Sequence, residues 1–199
     1  MTSKGNKIVE QKDVVVKFVG DSGDGMQLTG TLFSDSTAYA GNDLATFPDY
    51  PAEIRAPQNT VAGVSGFQVH FGHKQVNTPG DYADVLVAMN PAALKANAKW
   101  VKSGGTIIVD EDSFTDKGLK KAGYQTNDPV KEDKLDGYNI IKAPITTLTK
   151  ESLKDTELDP KSILRSKNMF ALGMVYWLFG RPLKYTEQFF EKKFKKKPQ

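Results

Sequence analysis

The sequence predicts an α/β fold, a three-layer α/β/α domain around a mixed, mostly parallel sheet. Three observations lead there. The β-branched run at residues 14–19 empties into Gly20-Asp21-Ser22-Gly23-Asp24-Gly25 and then into a helix-like segment. Residues 85–89 read as a buried strand, Asn90 and Pro91 as a helix start and residues 106–109 as a second strand, which together make a βαβ unit with an expected right-handed crossover. Between these units, apolar runs of strand length alternate with stretches of helical period.

Taken in order, residues 14–19 form the first strand and residues 26–40 the first helix, stopped by Gly41-Asn42. Asp24 and Gln27 have capping-box spacing, which assigns Asp24 to the start of that helix. Residues 44–47 are a short strand that enters a proline-bounded loop, Pro48 to Pro57. Residues 61–71 carry Gly63 and Gly66 inside an apolar run and read as a bent or bulged strand. No helix precedes it, so it is expected to run antiparallel. The helix opened by Pro91 is expected to close at Ser103-Gly104-Gly105.

Beyond residue 111 the pattern weakens into charged, glycine-punctuated chain, with one short helix at residues 117–122 and a turn at Asp136-Gly137. Residues 139–143 are the last strand, and Pro144 leads into a helical stretch that fades at residues 156–160. Ile163, Leu164, Met169, Phe170, Ala171, Met174, Val175 and Leu178 trace the apolar face of one long helix, ended by Gly180 and Pro182. A last helix spans residues 185–195.

Composition narrows the function classes. A chain of 199 residues is long enough to bury a core without staples, and the absence of cysteine removes disulfides, thiolate nucleophiles and Cys-ligated clusters. Five lysines in the last eight residues carry the basic balance; the net charge of +3 less these five is −2. The body is therefore nearly neutral, and no interleaving of aromatic and basic residues marks a nucleic-acid surface. The N-terminus lacks an apolar signal core and the apolar run at residues 169–179 falls far short of the ~20 residues of a membrane span. A cytoplasmic protein is expected. We divide the chain into an arm at residues 1–13, the α/β domain at 14–191 and a basic tail at 192–199.

Ligands of such sheets gather at the carboxyl ends of the strands, where Gly20–Gly25, the Pro48 loop and Asn90 all fall. In the first loop, glycines permit close approach and backbone amides suit an anion. Asp21 and Asp24 place two carboxylates there, and Ser22 breaks the dinucleotide fingerprint, giving G-x-x-G-x-G. A plain strand-to-helix connector is the competing reading. Gly23-Asp24-Gly25 matches the opening of the thiamine-diphosphate motif, but Asn42 stands too near and Asn59 too far to complete it. Tyr50, Glu53 and Arg55 lie in a proline-stiffened loop where the guanidinium either meets a carboxylate or phosphate or only fixes the loop's shape by pairing with Glu53 or Asp49. His70 and His73 lack the further ligands of a metal site. Asp110-Glu111-Asp112 reads as a turn with a helix cap at Asp112 or Ser113 rather than a magnesium site.

The segments Val16-Lys17-Phe18-Val19-Gly20-Asp21-Ser22-Gly23-Asp24-Gly25, Phe47-Pro48-Asp49-Tyr50-Pro51-Ala52-Glu53-Ile54-Arg55, Asp84-Val85-Leu86-Val87-Ala88-Met89-Asn90 and Asn168-Met169-Phe170-Ala171-Leu172-Gly173 together resemble the gamma module of 2-oxoacid:ferredoxin oxidoreductases. Ser22 and Asp24 stand where the family usually has glycine and glutamine, and Pro51, Ala56 and Pro57 replace three glycines. Those departures resemble the 2-oxoglutarate branch, in which gamma is fused ahead of alpha, so the basic tail would begin a linker. The resemblance implies thiamine diphosphate and magnesium between alpha and beta modules, iron–sulfur clusters and ferredoxin as electron carriers, and coenzyme A as acyl acceptor. It further implies that this chain, inactive alone, holds none of the redox groups and contributes to coenzyme A binding through Gly20, Asp21, Ser22, Gly23, Asp24, Gly25, Tyr50, Glu53, Arg55 and Asn90. Glu53 would orient Arg55 as an anion contact.

Overall fold

The structure, a computed structural model, describes residues 10–50 and 63–195. Six strands form one sheet: β1 (Asp13–Asp21), β2 (Asp43–Asp49), β3 (Val64–Gly72), β4 (Ala83–Ala88), β5 (Val101–Asp110) and β6 (Asn139–Ala143), in the spatial order β2-β3-β1-β4-β5-β6. The pairs β1–β4, β4–β5 and β5–β6 are parallel. β3 is antiparallel to both neighbours, as its missing crossover helix predicts, so β2 again runs with β1. The mixed, mostly parallel sheet is thus observed. Pro48, which cannot donate to a ladder, is tolerated because β2 is an edge strand.

Helices cover both faces. Alternation along β1 sends Val14, Val16 and Phe18 to one core, shared with Phe67, Val69 and Phe71 of β3, and Val19 to the other. The first core is closed by α1 (Met26–Tyr39) and α7 (Lys167–Leu178), which contribute Leu32, Phe33, Ala171, Leu172, Val175 and Tyr176. The fully buried Tyr176 donates its hydroxyl to the Leu32 carbonyl at 2.9 Å, tying α7 to α1. The second core is closed by α2 (Pro91–Asn97), with Ala93 and Leu94 over Leu86, Ala88, Ile107 and Val109. The remaining helices are α3 (Asp116–Lys121), α4 (Pro129–Glu132), α5 (Ile145–Ser152), α6 (Pro160–Arg165) and α8 (Lys184–Phe194). Lys192 and Lys193 accordingly belong to the last turn of α8.

Three expectations are corrected. α2 ends at Asn97, followed by one 3-10 turn, and Ser103-Gly104-Gly105 lie inside β5 instead of stopping a helix. There they serve a bulge: Ala83 pairs with Val101 but Val85 with Thr106, so β5 carries extra residues, Gly104 takes φ +74° and a Cβ on Gly105 would press the Asp84 and Lys102 carbonyls. The single long helix is two, α6 and α7, broken at Ser166, whose hydroxyl bonds back to the Ser162 carbonyl at 3.1 Å and competes with the ladder. Asp112 and Ser113 do not cap α3, which Thr115 caps. Instead Asp110 and Asp112 accept from the Thr146 and Thr147 amides at 3.1 and 2.6 Å and hold the first turn of α5 to the end of β5. The short α4, capped by Asp128 with Pro129 at its start, escaped the sequence reading.

α1 crosses β3 at Gly30, where a Cβ would run into the Phe67 ring. Gly30→Ala is therefore expected to destabilise the protein by about 1–3 kcal/mol through overpacking, although alanine is the better helix former. Urea unfolding monitored by circular dichroism checks this; unchanged or raised stability would show that the crossing is looser than described.

Candidate functional site

Because β1, β2 and β4 point the same way, their carboxyl ends meet at one edge of the sheet, and Asp21, Asp49 and Asn90 come together there. β1 ends in a turn closed by the Asp24 amide on the Asp21 carbonyl at 3.0 Å. Gly23 and Gly25 hold φ of +103° and +76°, conformations costly for any residue with a Cβ. Ser22 and Gly23 are exposed. The tip of the loop is thus exposed to solvent.

The expected capping box does not form. The residue preceding α1 is Gly25 in the left-handed region, and no side chain among the described residues caps the helix. Asp24 turns back instead: Oδ2 accepts from the Asp21 amide at 3.0 Å, and Oδ1 lies 3.4 Å from Lys167 Nζ. Packing dictates this, since Gly20 leaves room for the Asp24 carboxylate against its Cα, where an added Cβ would sit 3.0 Å from Oδ2. The first intrahelical bond runs from the Thr29 amide to the Gly25 carbonyl, so the amides of the first turn of α1 point outward at the positive end of the helix dipole.

Asn90 does two jobs with one amide group. Its Oδ1 accepts from the Ala93 amide at 2.8 Å, capping α2 as predicted, while its Nδ2 donates to Asp21 Oδ1 at 2.9 Å. That bond clamps the glycine loop to the β4–α2 turn. Burial, reinforced by the charge of Asp24, raises the Asp21 carboxyl above the usual carboxylate range, against the lowering influence of Asn90, Lys121 and Lys167.

Sequence reasoning missed a second layer. Asn168, at the start of α7, fills the space beside Gly25 that a Cβ would need and its Nδ2 lies 3.4 Å from the Gly25 carbonyl. With Lys167 it grips the loop from 143 residues away, a contact no local pattern announces. Gln27 donates from Nε2 to the Gly66 carbonyl at 2.8 Å and to Ser65 Oγ at 3.2 Å, anchoring α1 to β3, and its Oε1 is buried without a partner among the described residues. Lys17, only 10% exposed at its side chain, lies 3.6 Å from Asp49. Tyr50, at the end of β2, is 68% exposed at the same edge. Glu53 and Arg55 fall outside the described residues. Neither histidine gathers ligands: His70 places Nδ1 2.6 Å from the Thr78 carbonyl and Nε2 3.2 Å from Asp13. Among the described residues no cluster of three or more His, Asp or Glu is arranged to hold a metal, and no helix is long and apolar enough to cross a membrane.

A six-stranded mixed sheet with helices on both faces and an exposed glycine loop ahead of α1 defines an α/β domain. Sequence and structure comparisons assign that domain: the chain belongs to the pyruvate ferredoxin/flavodoxin oxidoreductase family, whose model matches residues 15–199. It is 50% identical over 188 residues to the 2-oxoglutarate oxidoreductase subunit KorA of Mycobacterium tuberculosis, covering 94% of this chain and 29% of that protein. Its structure resembles the 2-oxoglutarate:ferredoxin oxidoreductase of Magnetococcus marinus, solved with 2-oxoglutarate, coenzyme A and succinyl-CoA bound, at TM-score 0.70 and 26% identity over 96% of this chain and 28% of that one. The fold also matches a keto/oxoacid ferredoxin oxidoreductase gamma subunit from Geobacter sulfurreducens at TM-score 0.59 and 20% identity, covering 88% and 83% of the two chains. The resemblance to 2-oxoacid:ferredoxin oxidoreductases therefore holds, and the likeness to a gamma subunit is one of fold. This chain spans less than a third of KorA, and it is of the kind that forms one part of such an enzyme.

Asp21→Asn should raise stability at pH 7. A carboxyl whose pKa is raised on folding holds its proton more tightly in the native state, so stability falls as pH climbs from the ordinary value of 3.8 through the raised one and stays lower above it. The asparagine keeps an acceptor for Asn90 and removes that penalty. A small gain in Tm is expected at pH 7, shrinking away as the pH falls below 3.8. A loss at pH 7 would mean that the charge of Asp21 stabilises the loop.

Proposed function

We propose that this chain is the gamma portion of a thiamine-diphosphate-dependent 2-oxoglutarate:ferredoxin oxidoreductase, converting 2-oxoglutarate and coenzyme A to succinyl-CoA, carbon dioxide and reduced ferredoxin. The 50% identity to KorA across 94% of the chain carries the choice of oxoacid. A chain without cysteine offers no thiolate to an iron–sulfur cluster, which fits a module whose alpha and beta partners hold the redox groups.

The part assigned to this chain is to receive coenzyme A at the sheet edge. Coenzyme A is a polyanion through its diphosphate and 3′-phosphate, and the donors it needs are on hand: the outward first-turn amides of α1, with no side chain capping them, and an exposed glycine loop. The withdrawal of Asp24 toward Asp21 and Lys167 is the observation that supports this reading, because it removes the carboxylate that would otherwise occupy the helix start. Asn90 and Asp21 set the loop's position and Ser22 and Tyr50 line the approach, while Arg55 and Glu53, outside the described residues, are kept from the sequence as the proposed anion contact and its partner. These groups bind and orient; the carbon chemistry belongs to thiamine diphosphate on the partners.

Two measurements test it. The chain by itself, given 2-oxoglutarate, coenzyme A and a viologen dye, should show no turnover; reduction of the dye without partner modules would refute the division of labour. In the assembled enzyme, Ser22→Glu sets a negative charge before α1 at an exposed position and should raise the KM for coenzyme A about tenfold, the effect of ~1.4 kcal/mol, with the KM for 2-oxoglutarate unchanged. An unaltered coenzyme A response would leave the chain a docking module with no ligand of its own.

A further inference from the structure

At the opposite end of the sheet, a cleft of about 1110 Å³ runs between the amino ends of β1, β4, β5 and β6 and the carboxyl end of α7. β1 alone separates it from the glycine loop, by roughly 25 Å for a strand of this length. Two of its charged groups are paired, Lys102 at 2.8 Å from Asp84 and Asp13 at 3.2 Å from His70, while Glu10, Lys12 and His73 also line it. Arg181 differs from these in having a buried guanidinium nitrogen. Its Nε is buried without a hydrogen-bond partner, and among the described residues no carboxylate comes within ion-pair distance of it.

That guanidinium is also held in place. α7 ends in a Schellman-type turn, with Gly180 at φ +59° and the Arg181 amide donating to the Tyr176 carbonyl at 2.8 Å. The guanidinium carbon sits 5.1 Å from the centre of the Phe71 ring, and Phe71 is fixed edge-on by Phe33 and Phe179. Burial lowers the pKa of Arg181, yet arginine stays charged at any physiological pH, so the structure holds a half-buried cation whose Nε finds no partner among the described residues. A planar fork backed by an aromatic ring is pre-organised for a carboxylate. Beside it Trp177 is 76% exposed and Leu178 40% exposed, an apolar surface that water does not favour.

We propose that this cleft docks an acidic segment of a partner polypeptide, with an Asp or Glu carboxylate on Arg181 and an apolar side chain against Trp177. Size and composition favour a peptide over a free ion: the volume accommodates several side chains, and a bare anion has no use for an exposed indole. The proposal rests on the reading of the chain as one module of a larger enzyme, and it gives that enzyme a contact surface remote from the coenzyme A edge.

The test uses the enzyme complex isolated from its source cells through a tag on this chain, with p-benzoylphenylalanine introduced at position 177. Illumination should attach this position to another polypeptide region within a few residues of an Asp or Glu, located by mass spectrometry. Arg181→Gln and Arg181→Lys should each weaken the complex on dilution by tenfold or more, since the lysine keeps the charge but loses the fork. Exchanging the identified acid for arginine in the Arg181→Glu background should restore assembly, which a merely misfolded variant could not do. If the unaltered chain is isolated without partners, the module reading itself fails. If the complex forms but position 177 crosslinks only within this chain or to a second copy of it, or the Arg181 variants assemble as tightly as the original, the docking proposal alone is overturned.

Discussion

The direction in which Asp24 points governs the rest of the glycine-loop edge. A carboxylate three residues before Gln27 would ordinarily cap the helix, worth about 1 kcal/mol, and would fill the helix start with negative charge. Here Gly25 takes the capping position in a left-handed conformation and the carboxylate folds back onto the Asp21 amide. The helix gives up a cap, and the site keeps its donors. The cost is partly offset by Lys167, 3.4 Å from Asp24, and by the Asn90 bond to Asp21, so two acids persist in one short loop.

α7 connects the two ends of the sheet. Its first residues, Lys167 and Asn168, hold the loop, its middle supplies Ala171, Leu172, Val175 and Tyr176 to the core, and its final turn fixes Arg181. A 12-residue helix is about 18 Å long at 1.5 Å per residue, against roughly 25 Å for β1. Its carboxyl-terminal half is held by the Tyr176 hydroxyl on the Leu32 carbonyl and by the Phe33 cluster, so α7 is fixed at both ends like a strut. Displacing either end strains a packed interior with little room to yield.

What could be read from the sequence follows from the range of the forces involved. β1, β4, β6, the Asn90-Pro91 cap and the reversed β3 are written in local patterns: β-branched runs, a cap with proline behind it, and a strand with no helix to return it. Local pattern misled where two local readings compete. Asp24 with Gln27 satisfies a capping box by spacing, and only the room left by Gly20 and the charge of Lys167 redirect it. Ser103-Gly104-Gly105 has the composition of a helix stop but serves a bulge, which depends on pairing with β4. The grip of Asn168 on Gly25 and the uncompensated Arg181 arise from packing between distant segments, and no window of sequence contains them.

The reversed strand also explains why the edge can assemble at all. Since β3 runs against β2 and β1, the chain leaves the glycine-loop edge at Tyr50 and returns to that edge at Gly63, whose carbonyl accepts from the Ser22 amide at 3.2 Å. A parallel β3 would have required a crossover to the opposite end of the sheet and carried the chain away from the loop. The hairpin instead brings the Asp49 and Gly66 carbonyls and Ser65 around Gln27, with Lys17 beside Asp49, so that α1 is fixed to the very strands that frame the segment between Tyr50 and Gly63. One antiparallel strand in an otherwise parallel sheet thereby gathers separate stretches of sequence, the loop at residues 20–25, Asp49-Tyr50, residues 63–66 and Asn90, at a single edge of the sheet.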